Sequence, residues 1–257
     1  MKHFFNISLI VISFLLMFCS TKQDRNENNK TKISNQKDSV ISEKNSKNQI
    51  IETFVDSLNI GNKGQCKVEL VRYGRQELRG KDIFDNIHNS IKFYTKKTDF
   101  WELKNEYTYE GTIANGFEPN ISDFNNDGFN DITIISATAA RGANQMRRLF
   151  IYDKQQNQLI SILNSYEYPN MRFNKKLNCI DGFMIYGSGA ATVFGRIIKD
   201  SIKAFASVEN DINFHTVYEI DKNGVSKEIS KIPNKNHDIE EVYIRHNNYK
   251  PLEKYSD

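Results

Sequence analysis

From Cys66 onward the chain is a succession of short runs rich in β-branched and aromatic residues, each closed by a polar turn. This rhythm constrains the fold class more than any other feature, because it is the pattern of an antiparallel meander. Cys66-Lys67-Val68-Glu69-Leu70 alternates apolar and polar residues, as a strand with one buried face does. Similar runs occupy residues 106–113, 132–136, 149–152, 159–163, 183–186, 192–198, 216–220, 225–229 and 241–245. Residues 153–157 and Asp221-Lys222-Asn223-Gly224 provide turn chemistry between them. Asn-Gly is a strong hairpin signal because both residues tolerate positive φ. Two stretches suggest helix instead: residues 50–58, and Ile83, Ile87, Ile91 and Tyr94 at roughly helical spacing. The expected class is therefore all-β, an antiparallel β-sandwich or propeller-like meander with one or two short helices at its N-terminal side.

The first fifty residues have a different character. Lys2 precedes an apolar run over residues 7–18, shorter than the roughly 20 residues a helix needs to cross a bilayer. This reads as a signal peptide over residues 1–18. Cys19 follows directly, and the chain turns polar at Ser20, Thr21, Lys22 and Gln23. Leu16-Met17-Phe18-Cys19 resembles the lipobox of bacterial lipoproteins, which implies lipidation at Cys19 and a membrane contact through that lipid. Phe18 stands where a small residue is usual, so a cleaved soluble form and an uncleaved anchor remain alternatives. Residues 19–49 then form a lipidated cysteine and a tether, too poor in apolar groups to offset the entropy of ordering. Residues 50–257 are the expected β domain, a usual size for one such unit.

A formal charge of +3, with basic and acidic residues interspersed, gives no support to a nucleic-acid partner. Beyond Cys19 the chain holds only Cys66 and Cys179. Export would permit a disulfide between them, with two buried free thiols as the alternative.

The sharpest motif is Asp123-Phe124-Asn125-Asn126-Asp127-Gly128-Phe129-Asn130-Asp131, which reads D-x-N-x-D-G-x-x-D. A hard cation such as Ca²⁺ needs six to eight oxygens, so carboxylates and amides must alternate around a tightly curled backbone. Asp123, Asn125 and Asp127 would offer side-chain oxygens, Phe129 its main-chain carbonyl, and Asp131 a carboxylate directly or through water. An EF-hand would place a bidentate Glu at the twelfth position, but Ile134 stands there inside an apolar run. The loop instead resembles those of FG-GAP or VCBS-type β repeats, in which it leads straight into a strand. A solvated Asn/Asp/Gly turn is the alternative reading of the same residues.

No enzyme constellation emerges. The five histidines, His3, His88, His215, His237 and His246, show no metal-ligand spacing. Gly187-Ser188-Gly189 lacks the full nucleophile-elbow pattern. Glu240 and Glu241 are adjacent, so on a strand they would point to opposite faces. A binding protein is expected rather than a catalyst.

The order of features over residues 121–245 resembles periplasmic immunity lipoproteins akin to inhibitors of invertebrate-type lysozyme. It comprises the single D-x-N-x-D-G-x-x-D loop, Leu149-Phe150-Ile151-Tyr152-Asp153, Pro169-Asn170-Met171-Arg172-Phe173, and Ser188-Gly189-Ala190-Ala191. The resemblance implies a calcium-supported β scaffold on the periplasmic face of the outer membrane. Its partner would be a lysozyme-like muramidase or a secreted wall-lytic effector. It also implies an inhibitory loop containing Ser188, Gly189, Ala190, Ala191 and Phe194, with Arg196 adding charge complementarity. Small residues would let that loop enter a narrow sugar groove, although Thr192-Val193-Phe194 occupies the place where a tyrosine or other polar anchor is common. A turn between two buried strands explains the same glycines and alanines. A calcium-stabilised envelope module that binds glycan or a surface protein is the second functional reading.

Overall fold

A computed structural model describes residues 48–77, 83–111 and 115–256. The proposed signal peptide, Cys19 and nearly all of the tether lie outside these residues. The described chain is built of strands that pair with their sequence neighbours. The first sheet holds β1 (Asn48–Asp56), β2 (Cys66–Glu77), β3 (Ile83–Lys97) and β4 (Phe100–Glu110). The second holds β5 (Asn120–Ser122), β6 (Asp131–Ala139), β7 (Asn144–Asp153) and β8 (Gln158–Ile162). The third, six-stranded, runs from β9 (Arg172–Asn174) through β10 (Cys179–Tyr186), β11 (Gly189–Ile198), β12 (Ser201–Asn210) and β13 (Phe214–Ile220) to β14 (Ser226–Pro233). One short helix, α1 (Ile239–Val242), precedes a closing hairpin of β15 (His246–Tyr249) and β16 (Leu252–Lys254). Pairing within the sheets is antiparallel throughout, so the all-β class holds.

The apolar pattern explains the layering. β2 alternates, turning Cys66, Val68 and Leu70 inward and Lys67 and Glu69 outward. Its sheet therefore packs on one face only. β6 and β7 do not alternate. Asp131 through Ile135, and Leu149 through Tyr152, are buried without interruption, which requires cover on both faces. That cover is present. Ile132, Ile134, Phe150 and Tyr152 join Val68, Leu70, Ile91 and Phe93 of the first sheet in one core. Leu149 and Ile151 join Ile180 and Ile202 of the third sheet in another. The opposite face of the third sheet, with Phe194, Ala206, Val208 and Val217, is closed by Tyr249 and Leu252 of the final hairpin.

Three local expectations are corrected. Residues 50–58 lie largely in the edge strand β1, and the segment with Ile83, Ile87 and Ile91 is β3, not a helix. A spacing of four residues satisfies a period of two as well as one of 3.6, so those isoleucines could not discriminate. Tyr94 falls on the other face of β3, where its hydroxyl donates to Glu69 at 2.7 Å. Residues 241–245 are the end of α1 and a bend rather than a strand. Asp238 caps that helix, its carboxylate accepting from the Glu240 amide at 2.9 Å. The one α-helix among the described residues thus lies near the C-terminus, not at the N-terminal side.

Candidate metal centre and the sequence-predicted sites

The D-x-N-x-D-G-x-x-D segment joins β5 to β6, as a strand-loop-strand and not a helix-loop-helix. Its curl comes from Asn126 and Gly128, at φ of +60° and +88°, a region that asparagine and glycine tolerate best. The acidic side chains point inward to the loop's own amides. Asp123 accepts from the amides of Asp127 at 3.1 Å and Gly128 at 2.9 Å. Asn125 accepts from Asp127 at 3.2 Å, and Asp127 accepts from Phe129 at 2.9 Å. Asn125 Nδ2 also donates to Asp127 at 2.8 Å.

Asp131 differs from the other two aspartates. It is fully buried, with one oxygen accepting from the Phe124 amide at 2.8 Å and the other from the Tyr152 amide at 2.9 Å. Burial pushes its carboxyl up to about 8. Those two amides oppose the rise, and the charges of Asp127 and Asp123 add to it. A buried carboxylate whose ionisation two neighbouring carboxylates make costlier is part of a donor set that a divalent cation would relieve. Among the described residues no three His, Cys, Asp or Glu side chains are gathered closely enough to hold an ion by themselves. The expected ligand set is mixed, and an amide and a main-chain carbonyl would have to contribute.

The loop also touches its surroundings on three sides. Asn130 Nδ2 donates to the Asn59 carbonyl at 3.0 Å, and the Gly61 amide donates to the Asn130 carbonyl at 2.8 Å. Both partners lie in the β1–β2 connection, which Asp56 holds by accepting from the amides of Leu58, Asn59 and Ile60. Asn126 Nδ2 donates to Asn178 Oδ1 at 3.3 Å, in the turn before β10. Phe129 packs on Tyr152 with 5.6 Å between ring centroids. All three sheets are thus tied to one nine-residue segment.

The expected inhibitory loop is different from its sequence reading. Gly187 and Ser188 alone form an exposed turn, between Tyr186 and Gly189, which pair across β10 and β11. Gly189, Ala190, Ala191 and Phe194 belong to a central strand and are buried. A Cβ on Gly189 would stand 2.8 Å from the Asn210 carbonyl and 2.9 Å from the Tyr186 ring, so glycine answers a packing demand there. The small residues serve close strand packing, and only Ser188 of the five is free to meet a partner. Arg196 is exposed and lies over Phe205, 4.0 Å from its centroid.

Of the two alternatives for the cysteines, the structure has the second: Cys66 and Cys179 are free and buried. Cys66 sits in the core between the first two sheets and Cys179 in the core beneath the final hairpin. Burial raises both thiols.

Two polar clusters escaped the sequence reading. Asp181, fully buried in β10, receives Arg245 Nε at 2.7 Å, Asn174 Nδ2 at 3.0 Å and the Tyr255 hydroxyl. Arg245 also donates to the Asn170 carbonyl at 2.8 Å, fastening the C-terminal segment to the third sheet. In the second cluster, Asn210 Oδ1 is shared by His215 Nδ1 at 2.9 Å and His246 Nε2 at 3.0 Å. Burial, then the neighbouring His215, presses His246 down to about 4. No spacing in the sequence announces either cluster, since the bonds that close them, His246 to Asn210 and Arg245 and Tyr255 to Asp181, span 36, 64 and 74 residues.

The fold and this loop together define an all-β protein of consecutive antiparallel meanders pinned by a D-x-N-x-D-G-x-x-D turn. No protein-family profile and no curated protein matches the chain. Among solved structures, one described as "Structure of a Xanthomonas Type IV Secretion System related protein" aligns at 12% sequence identity with a TM-score of 0.44. That alignment covers 68% of this chain and 93% of the other.

Proposed function

We propose that the protein is a lipoprotein of the bacterial envelope, anchored through Cys19 on the periplasmic face of the outer membrane, which binds Ca²⁺ and inhibits a lysozyme-like cell-wall hydrolase. The observation that carries the calcium part is the buried Asp131 carboxylate beside Asp123 and Asp127, in a curled loop that runs directly into β6. The inhibitor part draws on the order of motifs that resembles lysozyme-inhibitor immunity proteins. A protein of this kind acts by occupying a cleft and needs no nucleophile or general base of its own.

The test has two arms. Saturating Ca²⁺ at about 100 times Kd should stabilise the purified protein by roughly 2.7 kcal/mol, and Asp127→Ala should remove the response. The second arm measures clearing of wall suspensions by muramidases, any neighbouring-gene effector included, in micromolar protein. Unchanged hydrolysis throughout would sink the inhibitor reading in favour of an envelope module that binds glycan or a surface protein. One observation favours that second reading. The outward face of the first sheet carries Tyr73 against His88, and Tyr94 with Trp101 around Lys67, ring faces and charges of the sort that stack on and hydrogen-bond sugars.

A further inference from the structure

One end of the first sheet carries apolar side chains that the core does not use. The β1–β2 and β3–β4 connections lie side by side there, since Asp56 at the end of β1 pairs with Val68, and Val68 pairs with Phe93 late in β3. The Lys96 amide donates to the Gln65 carbonyl at 2.8 Å and ties the two connections together. β3 turns into β4 through Thr98 and Asp99 alone, with Lys97 paired to Phe100 and Lys96 to Trp101. Phe100 thus stands past Phe93 and Tyr107, where the core of its two strands ends, and is 63% exposed. Leu58 in the neighbouring connection is 72% exposed, and Leu103 is 48% exposed. Lysines surround these side chains: Lys63, Lys96 and Lys97 are exposed. The nearby carboxylates are engaged. Asp56 accepts from three amides of its own connection, Glu69 holds Lys67 at 2.6 Å, and Glu102 holds Lys104 at 2.9 Å and Lys97 at 3.7 Å. Among the described residues, Lys63 and Lys96 meet no carboxylate within ion-pairing distance. Lys67 lies over the rings of Tyr94 and Trp101, so the bare surface at the tip is Phe100 and leucine ringed by ammonium groups.

We infer that this tip is a second membrane contact, which seats Phe100 and Leu58 in the headgroup layer of a bilayer while Lys63, Lys96 and Lys97 meet anionic phospholipid. Shape separates a lipid surface from the other partners. A sugar or a small ligand is held in a concave site, whereas a two-residue turn with a phenyl ring at its edge projects. A bilayer interface takes up a projecting apolar group without matching its outline, and lysine stems run along such a group while their charges stay with the headgroups. The half-buried Trp101 beside Phe100 suits the same depth. Contacts of this kind are marginal singly and hold a protein firmly in pairs. The inference rests on the anchored-lipoprotein reading for its strength alone: about 30 residues between Cys19 and β1 would keep the domain near the surface, at an effective concentration on the order of millimolar. β1 starts at the far end of the sheet, and its nine residues put that end roughly 30 Å from the tip. A chain of about 30 residues can span about 100 Å, so the tether does not prevent the tip from facing the bilayer.

Trp101 is the single tryptophan of the chain, so its fluorescence reports on this tip alone. The full chain, with its N-terminus as the cell leaves it, is reconstituted into vesicles of phosphatidylcholine, alone or mixed with phosphatidylglycerol, whose acyl chains are plain or brominated. In the mixed vesicles Trp101 emission should shift to the blue and be quenched by bromine; both effects should fade in high salt and in phosphatidylcholine alone. Lys96→Gln combined with Lys97→Gln should lower the ratio of docked to undocked tips by about 25-fold, at about fivefold per lysine. Phe100→Ser should also reduce quenching. All three side chains are exposed, so the melting temperature should stay where it is, which a merely structural role would not allow. Protein that sediments with the mixed vesicles but shows equal Trp101 emission over plain and brominated chains overturns the contact and leaves the anchored reading standing. A mature N-terminus without lipid removes the anchor, and quenching at raised vesicle concentration then still upholds the contact. Emission that soluble wall-glycan fragments shift and vesicles do not would give the tip to glycan and overturn the inference.

Discussion

Lowering the pH should weaken calcium binding in a manner set by one residue, Asp131. In the ion-free protein its carboxyl is raised from 3.8 to about 8 by burial, against the opposing amides of Tyr152 and Phe124. An ion can be held only by the ionised form, so below that value binding must expel one proton. Affinity should then rise about tenfold per pH unit between roughly pH 5 and 8 and level off above. The sign for stability follows from the same displacement. A carboxyl whose folded pKa is raised stabilises the fold fully below 3.8, and that contribution is lost as pH rises through about 8. At pH 8 and above, the ion-free protein therefore carries a penalty of roughly 6 kcal/mol at most, which a bound cation would offset. Asp131→Asn removes the charge but leaves an amide N–H₂ facing a main-chain N–H, at about 1–3 kcal/mol. The ion-free Asn variant should then be at least as stable as the ion-free parent at pH 8, and indifferent to calcium. Calorimetric titration at pH 6.5 in buffers of different ionisation enthalpy reads the released proton directly. Heats that do not depend on the buffer, with an affinity flat from pH 5.5 to 8, would refute this account of Asp131.

Two further outcomes are expected away from the loop. Arg245→Ala leaves the fully buried Asp181 carboxylate with Asn174, Tyr255 and a longer contact to Arg172 at 3.8 Å, and should cost about 3 kcal/mol in urea unfolding; a loss under 1 kcal/mol would show that the segment is not held by that pair. His246, pressed by burial from 6.5 to about 4, binds its proton more readily in the unfolded chain, so stability present above pH 6.5 should fall by roughly 3 kcal/mol as pH drops toward 4. His246→Gln should flatten that part of the stability profile in thermal melts across pH 4–7.

What could be read from the sequence follows from how each signal is encoded. The β class was legible because short β-branched and aromatic runs with polar turns admit no other reading. The Asp221–Gly224 turn is present too, with the Gly224 amide donating to the Asp221 carbonyl at 3.0 Å, although only Gly224 of the Asn-Gly pair takes positive φ. β3 was misread because isoleucines four apart satisfy two periods at once. β12 (Ser201–Asn210) went unseen because Lys203, Ala204 and Ser207 dilute its apolar face. The curled D-x-N-x-D-G-x-x-D loop was recognisable because all its donors are local. The Asp181–Arg245 pair and the two histidines around Asn210 are made by topology, which places residues far apart in the chain against one another, and no local pattern encodes them. That Gly189 to Phe194 lie in a buried strand was hidden for a related reason. Small residues signal close approach, but the sequence does not say whether a partner or a neighbouring strand does the approaching.

The D-x-N-x-D-G-x-x-D loop and the turns that follow β6 and β10 lie at opposite ends of the same strands. β6 begins at Asp131, inside the D-x-N-x-D-G-x-x-D loop, and ends at Ala139, where the turn over residues 140–143 starts. β10 likewise begins beside Asn178, which contacts the loop, and ends at the Gly187-Ser188 turn. At about 3.3 Å per residue, the nine residues of β6 hold the ends roughly 27 Å apart. An ion at one end cannot touch a partner at the other. Its influence must pass through β6, whose first five residues are buried on both faces, and through the three sheets the loop pins together. Such a strand is either packed or not, with little room for intermediate positions. A cation bound in the loop would therefore reach the turns at the far end only through the fraction of molecules folded.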